Sequence, residues 1–303
     1  MSRRNWLLFA AMCVIWGVPY LMIRVAVREV SPPTLVFFRT ALGALLLLPI
    51  AIRRDALRPV LRCKWQWLLV YSAVEVAAPW LMLSDAETKL SSSLTGLLVA
   101  AVPLVGVAIA RLQGTDDRVD GWRGFGLLLG IGGVVALLGL DVGEVHVGPL
   151  IEVAVTVVCY AVGPVIISRQ LSDVPVMGVV VLSLAVTAVG YAPAAALNMP
   201  TSLPANVVWS VIGLATICTA LAFIVFFALI SGIGPARATV ITYVNPAVAV
   251  LLGVALLGEK FTVGMAVGFP LILLGSVLAA RKREVRVDGS ASAPTPLAEP
   301  APS

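Results

Sequence analysis

Three charged side chains stand inside long apolar runs: Arg39, Glu75 and Glu152. A charge near mid-membrane costs at least about 2.5–3.5 kcal/mol on insertion scales, so each calls for a compensating role. Arg39 lies a few residues inside one end of its run, and Glu75 lies near the middle of the next. At a helical rise of about 1.5 Å per residue, their depths differ by only a few ångströms. Two readings of Glu75 follow. It forms an ion pair with Arg39, or it lies in a cavity and either binds a cationic group or carries a coupling proton. The two predict opposite titration behaviour. Arg39 and Glu75 are both candidate substrate-binding residues, and Glu75 is the candidate for proton coupling. Glu152 lies close to the end of its run and reads as a solvated vestibule charge.

Proline and polar residues supply the second set of candidates. Thr242 to Gly268 reads TYVNPAVAVLLGVALLGEKFTVGMAVG. Pro246 removes a backbone donor inside this run and kinks it. Freed carbonyls are tolerated in lipid only where protein or a water-filled cavity satisfies them. Tyr243 and Asn245 are therefore placed against either a central cavity or a neighbouring helix. Asn245 both donates and accepts, which suits a zwitterionic or amide-bearing ligand; its alternative role is to cap the kink. Pro103 predicts a kink in an earlier run, flanked there by apolar Ala101 and Val102. Trp16 and Tyr160 lie too deep for an interfacial belt, and either line the cavity or pack helices. The Gly258-Glu259-Lys260 turn reads as a hairpin apex, with Glu259 near Lys260 or Arg28.

The elements that must position these residues follow from composition. Of 303 residues 60% are hydrophobic and 12% charged, with a mean hydropathy of +1.02. A soluble domain carries about 25% charge, so the chain reads as a polytopic membrane protein in contact with the lipid bilayer. Ten segments are long and apolar enough to span: 6–24, 33–52, 65–83, 90–110, 122–140, 149–168, 175–197, 207–230, 236–257 and 261–280. The first is a retained span rather than a cleaved leader, because no small-residue cleavage site follows it. Residues 281–303 are polar and rich in Pro, Ala and Ser, which predicts a disordered tail. With the N-terminus placed inside the cell, 16 Lys and Arg residues fall in inner segments and 4 in outer ones, with Arg39 within a span. The positive-inside rule therefore predicts that both termini are cytoplasmic.

The second half repeats the first. An offset of 143 brings Pro246 onto Pro103, Glu259 onto Asp116, Gly264 onto Gly121 and Gly275 onto Gly132. Near the starts of the halves the offset is 144, which brings Tyr160 onto Trp16 and Trp209 onto Trp65. The expected units are residues 1–143 and 144–280. Five spans per unit is an odd number, so the second copy enters the membrane inverted. The fold class is thus all-α integral membrane, ten transmembrane helices as two inverted five-helix repeats. Inverted repeats are a signature of secondary transporters. Gly130, Gly132 and Gly133, with Gly268 and Gly275, read as close packing in spans 5 and 10, at the periphery or at a homodimer face.

These features support a family resemblance. Ile15-Trp16-Gly17, Phe38-Arg39 and Leu257-Gly258-Glu259, with the paired five-span units, resemble the EamA family of the drug/metabolite transporter superfamily over about residues 5–280. The first half departs from that pattern: Gln113-Gly114-Thr115-Asp116 stands where Leu-Gly-Glu is usual. The resemblance implies ten spans, cytoplasmic termini, and transport of amino acids or other small metabolites, with export the favoured direction. Other classes find little support. The basic residues sit in short loops, which argues against nucleic acid. A lone histidine, His146, and four cysteines without ligand spacing predict no metal site. No HExxH, GxSxG or Walker A pattern occurs, so neither an enzyme nor an ATP-driven pump is expected, and no cofactor is implied. The Arg to Lys ratio of 17 to 4 fits a GC-rich bacterial genome, hence a bacterial inner membrane.

Overall fold

A backbone in lipid must satisfy its own hydrogen bonds, which leaves helices or closed barrels. The computed structural model describes residues 1–112, 121–141 and 147–279, and all regular secondary structure among them is helical. Among the described residues nine helices are long and apolar enough to cross a membrane: Arg3–Ala26, Pro32–Arg53, Trp65–Ala86, Ser92–Leu112, Gly121–Leu140, Val147–Gln170, Val176–Leu197, Ala205–Ile233 and Thr239–Leu257. A tenth, Val263–Ala279, has 17 residues, the lower bound for a span. These are spans 1 to 10. The Gln113–Asp116 loop, His146 and the tail expected at 281–303 lie outside the described residues.

Packing displays the inverted repeat. Spans 2 and 7, 4 and 9, and 5 and 10 pack as pairs of equivalents, while span 1 packs on span 8 and span 3 on span 6. Spans 5 and 10 run antiparallel with their backbones in close approach. A Cβ at Gly133 would lie 2.7 Å from the Ile272 nitrogen, and one at Gly126 would lie 2.8 Å from the Gly275 oxygen. Small residues are what permits this contact where no hydrophobic effect drives helices together. Gly132, expected in this packing, takes no part in it, since a Cβ there would meet nothing within 4 Å. The outer faces of both spans are exposed and apolar, with Leu128, Ile131, Val135, Leu274 and Val277 turned to the lipid.

Several spans are interrupted near their middles, at symmetric places. Span 4 breaks between Ser92–Val99 and Val102–Leu112, with Pro103 second in the new helix. Span 9 begins as a 3-10 segment, Thr239–Tyr243, before Asn245–Leu257, with Pro246 likewise second. Both expected kinks are present. Spans 3 and 8 each widen into a π-helical segment, Ser72–Ala77 and Thr216–Leu221, which begin 144 residues apart. In span 3 Pro79 cannot donate to the carbonyl of Glu75, which loosens the preceding turn. In span 8 the Thr219 hydroxyl inserts into the ladder and donates to the Leu214 carbonyl at 2.8 Å. Tyr191 of span 7 donates to the Ala77 carbonyl at 3.1 Å.

Candidate functional site

The two π segments carry the residues that matter most, with Ser72, Val76, Cys218, Thr219 and Ala220 buried. Glu75 lies in the first and Thr219, its mate at the same 144-residue offset, in the second. π segments cluster at functional sites because one inserted residue re-aims the side chains around it.

Arg39 is buried, 7% exposed, and its Nε donates to Thr219 Oγ1 at 3.1 Å. Its guanidinium carbon lies 3.6 Å from the centre of a Trp80 ring. Such stacking partly compensates a desolvated cation. Arg39 and Glu75 do not form an ion pair, which overturns that reading of the two charges. Depth along a span places them at one level, but azimuth turns Arg39 toward spans 3 and 8 by way of Trp80 and Thr219. Glu75 points instead at span 6. Its Oε2 is enclosed without a hydrogen-bond partner, and a Cβ on Gly163 would overlap it. The glycine leaves the room that the carboxyl occupies. Tyr160 joins the two charges: it packs against the cluster that holds Trp80, and lies within electrostatic reach of both Arg39 and Glu75.

The remaining sequence-derived residues gather elsewhere. Trp16 ends the first segment of span 1 and packs its ring 4.6 Å from that of Phe226 in span 8. Asn245 is 9% exposed; with its amide oriented to satisfy its surroundings, the nitrogen donates to the Ile241 carbonyl at 2.9 Å and to the Cys13 carbonyl at 3.1 Å. Asn245 thus caps the break in span 9 and ties it to span 1, the second of the two roles open to it. Tyr243 ends the 3-10 segment, half-buried. Neither it nor Asn245 takes part in the hydrogen bonds and ring contacts of Arg39.

Two further carboxylates lie on this side of the molecule, and one of them has partners the sequence did not indicate. Glu152 is half-buried, with Oε2 unpartnered and with Asp85 and Lys89 within electrostatic reach. Glu259 holds neither Lys260 nor Arg28. It reaches across to span 4 and accepts from the Ser92 nitrogen at 2.8 Å, the Ser92 hydroxyl at 2.9 Å, the Ser93 nitrogen at 2.9 Å and the Ser93 hydroxyl. A carboxylate at a helix N-terminus satisfies orphan N–H groups and favours the dipole. Burial works to raise the Glu259 carboxyl, and the hydrogen bonds from Ser93 and Ser92 outweigh it, leaving it below its ordinary value. Nearby Glu87 is fully buried with both oxygens unpartnered, while its carbonyl accepts from Arg24.

Trp80, Thr219, Glu87 and Gly163 are absent from the sequence-derived set. An aromatic at the depth of Arg39 was the available signal for Trp80, and the 144-residue offset from Glu75 was the signal for Thr219. A surface groove of about 490 Å³, lined by Ala51, Asp55, Arg58 and Arg62 among others, involves none of the candidate residues. Among the described residues no cluster of three or more His, Cys, Asp or Glu is placed to hold a metal.

Comparison with known proteins is consistent with this architecture. A model of the EamA-like transporter family matches residues 4–139 and 149–281. The uncharacterized inner membrane transporter YedA of Escherichia coli K12 is 29% identical over 256 residues, covering 83% of this chain and 82% of that protein. An uncharacterized transporter of Archaeoglobus fulgidus is 22% identical over 285 residues, covering 92% of this chain and 100% of its own length. One solved crystal structure shares the fold with a TM-score of 0.65 at 23% identity, covering 92% of this chain and 97% of that one.

Proposed function

The chain belongs to the EamA-like transporter family, and from that membership we propose that it is a proton-coupled secondary active transporter of small metabolites, amino acids among the candidates. Its halves, residues 1–143 and 144–280, rock about a central site and expose it alternately to each side of a bacterial inner membrane, with both termini cytoplasmic. Glu75 carries the proton. The observation that supports this is the placing of its carboxyl: mid-span, in a π segment, without a hydrogen-bond partner at Oε2, and against Gly163 of the other half. A carboxyl with a fixed counter-charge would hold its proton state constant, whereas one packed across the boundary between moving halves changes surroundings as they rock. Arg39, Tyr160 and Trp80 supply the substrate contacts. Trp16, Tyr243 and Asn245 act at one remove, by fixing spans 1, 8 and 9 where they break.

The test uses purified protein in liposomes loaded with a pH-sensitive dye. Metabolites that raise the melting temperature are driven across by their own gradient. Internal pH is expected to move with the solute. Solute flux with no pH change would make the protein a facilitator or exchanger, and remove the proton from the account.

A further inference from the structure

We propose that Arg39 is the receptor for a carboxylate, so that the transported metabolite is a small carboxylic acid held at the Arg39–Trp80–Thr219 station. This rests on the transport reading above and specifies the substrate class.

Arg39 is a buried cation without a carboxylate partner among the described residues, although Glu87 lies within its electrostatic reach. The groups within its electrostatic reach are Tyr160, Cys218, Tyr20 and Glu87. Glu87 makes no ion pair with Arg39: its main-chain carbonyl accepts from Arg24, and both carboxylate oxygens are enclosed without a hydrogen-bond partner. The guanidinium itself is fixed at two points. Trp80 holds one face at 3.6 Å, and Thr219 accepts from Nε at 3.1 Å. Among the described residues no group accepts from its two terminal nitrogens, and neither is an enclosed orphan. They form a planar pair of donors that no described protein acceptor takes up. A planar pair of donors on a fixed cation is complementary to a carboxylate, which it binds through two parallel hydrogen bonds. A cationic or neutral ligand would leave those donors unmet and the charge uncompensated in a low dielectric. The aromatic surroundings, Trp80, Tyr20 and Tyr160, then face the apolar body of the acid.

Charge balance links this site to Glu75, whose own neighbours are Tyr71, Cys159 and Tyr160. With the site empty, ionised Glu75 and Arg39 sum to zero. With a carboxylate on Arg39, the sum stays zero only if Glu75 takes a proton. A low-dielectric interior therefore favours one proton with one carboxylate.

The experiment measures melting temperature in detergent with matched probes: phenylacetate and L-phenylalanine, phenylacetamide and L-phenylalaninamide, phenethylamine and phenyl phosphate, beside a wider set of monocarboxylates and their amides. A saturable rise is expected with carboxylates, at least tenfold weaker in apparent affinity for the matched amides, and lost in Arg39→Gln. Arg39→Lys, which keeps charge without the planar fork, is expected to retain a weakened response. The acid-against-amide comparison in the wild-type protein decides the matter even where Arg39→Gln does not fold. Stabilisation by amides, amines or phosphate esters equal to that by carboxylates overturns the proposal, as does an undiminished response in Arg39→Gln or a panel without a carboxylate hit. Binding is read without transport, so carboxylate binding with no linked proton movement would sink the Glu75 reading and leave this one standing.

Discussion

The two ends of the molecule are joined unequally, and Glu259→Gln exploits the difference. At one end the second half grips the first through four hydrogen bonds to one carboxylate, from Ser92 and Ser93. At the other, Lys64 and Asp173 form a largely exposed pair at 3.1 Å, of a kind that contributes roughly 0.2–1 kcal/mol. Glutamine keeps one oxygen and turns the other into a donor. Two bonds to a charged acceptor, each in the range of about 1.5–3 kcal/mol, are lost or reversed, and one N–H is left facing another donor. Partial exposure and non-additivity reduce the sum to about 2–3 kcal/mol, roughly 30- to 150-fold in the unfolding equilibrium. The assay is thermal unfolding in detergent, followed by tryptophan fluorescence, for wild type and variant at several pH values. The folded carboxyl lies below its ordinary value near 4.5. Its contribution is therefore fully present above that ordinary value and disappears as pH falls through the folded one. Wild type is expected to melt higher at pH 7, and the gap should close as pH falls below the ordinary carboxyl value and through the lower folded one. A variant as stable as wild type at pH 7, or a gap that widens in acid, would refute the reasoning.

Three further outcomes are expected. Gly163→Ala places a methyl group where the Glu75 carboxyl lies; it should cost about 1–3 kcal/mol as overpacking, with most of the loss recovered in the double variant with Glu75→Ala, and simple additivity of the two would show that they do not touch. Gly275→Val should separate spans 5 and 10 and lower the melting temperature sharply, whereas Gly132→Val, with nothing within 4 Å, should leave it nearly unchanged; equal effects would deny the glycine contact. Cys63 is the one exposed cysteine of the four, so a membrane-impermeant maleimide should label everted vesicles and not intact spheroplasts, and the reverse pattern would invert the orientation.

Much of the architecture is legible in the chain because a bilayer sets strict terms. Each span must be apolar over a fixed length, so Val176–Leu197 stands out from sequence to within a residue. Pro103 and Pro246 announce breaks because proline cannot complete a helix ladder, and both breaks are present. Side-chain partnerships are less legible. Arg39 and Glu75 share a depth, but each residue turns a helix by about 100°, and the faces of spans 2 and 3 are set by tertiary packing. Apolar patterns also do not record hydrogen-bond register, so neither π segment leaves a trace beyond Pro79 and Thr219. The partners of Glu259 lie 166 and 167 residues away, and no local spacing points to Ser92 or Ser93.

The measurement that tests the central claim most directly compares net uptake with exchange in liposomes carrying Glu75→Gln. An imposed pH gradient drives the wild-type protein, and labelled solute is followed in both modes. The account predicts that the variant loses uptake driven by the pH gradient while exchange of labelled for unlabelled solute continues, because glutamine mimics the protonated acid and only return of the empty carrier, which requires Glu75 to give up its proton, is blocked. Uptake by Glu75→Gln that still follows the pH gradient at the wild-type rate would contradict it.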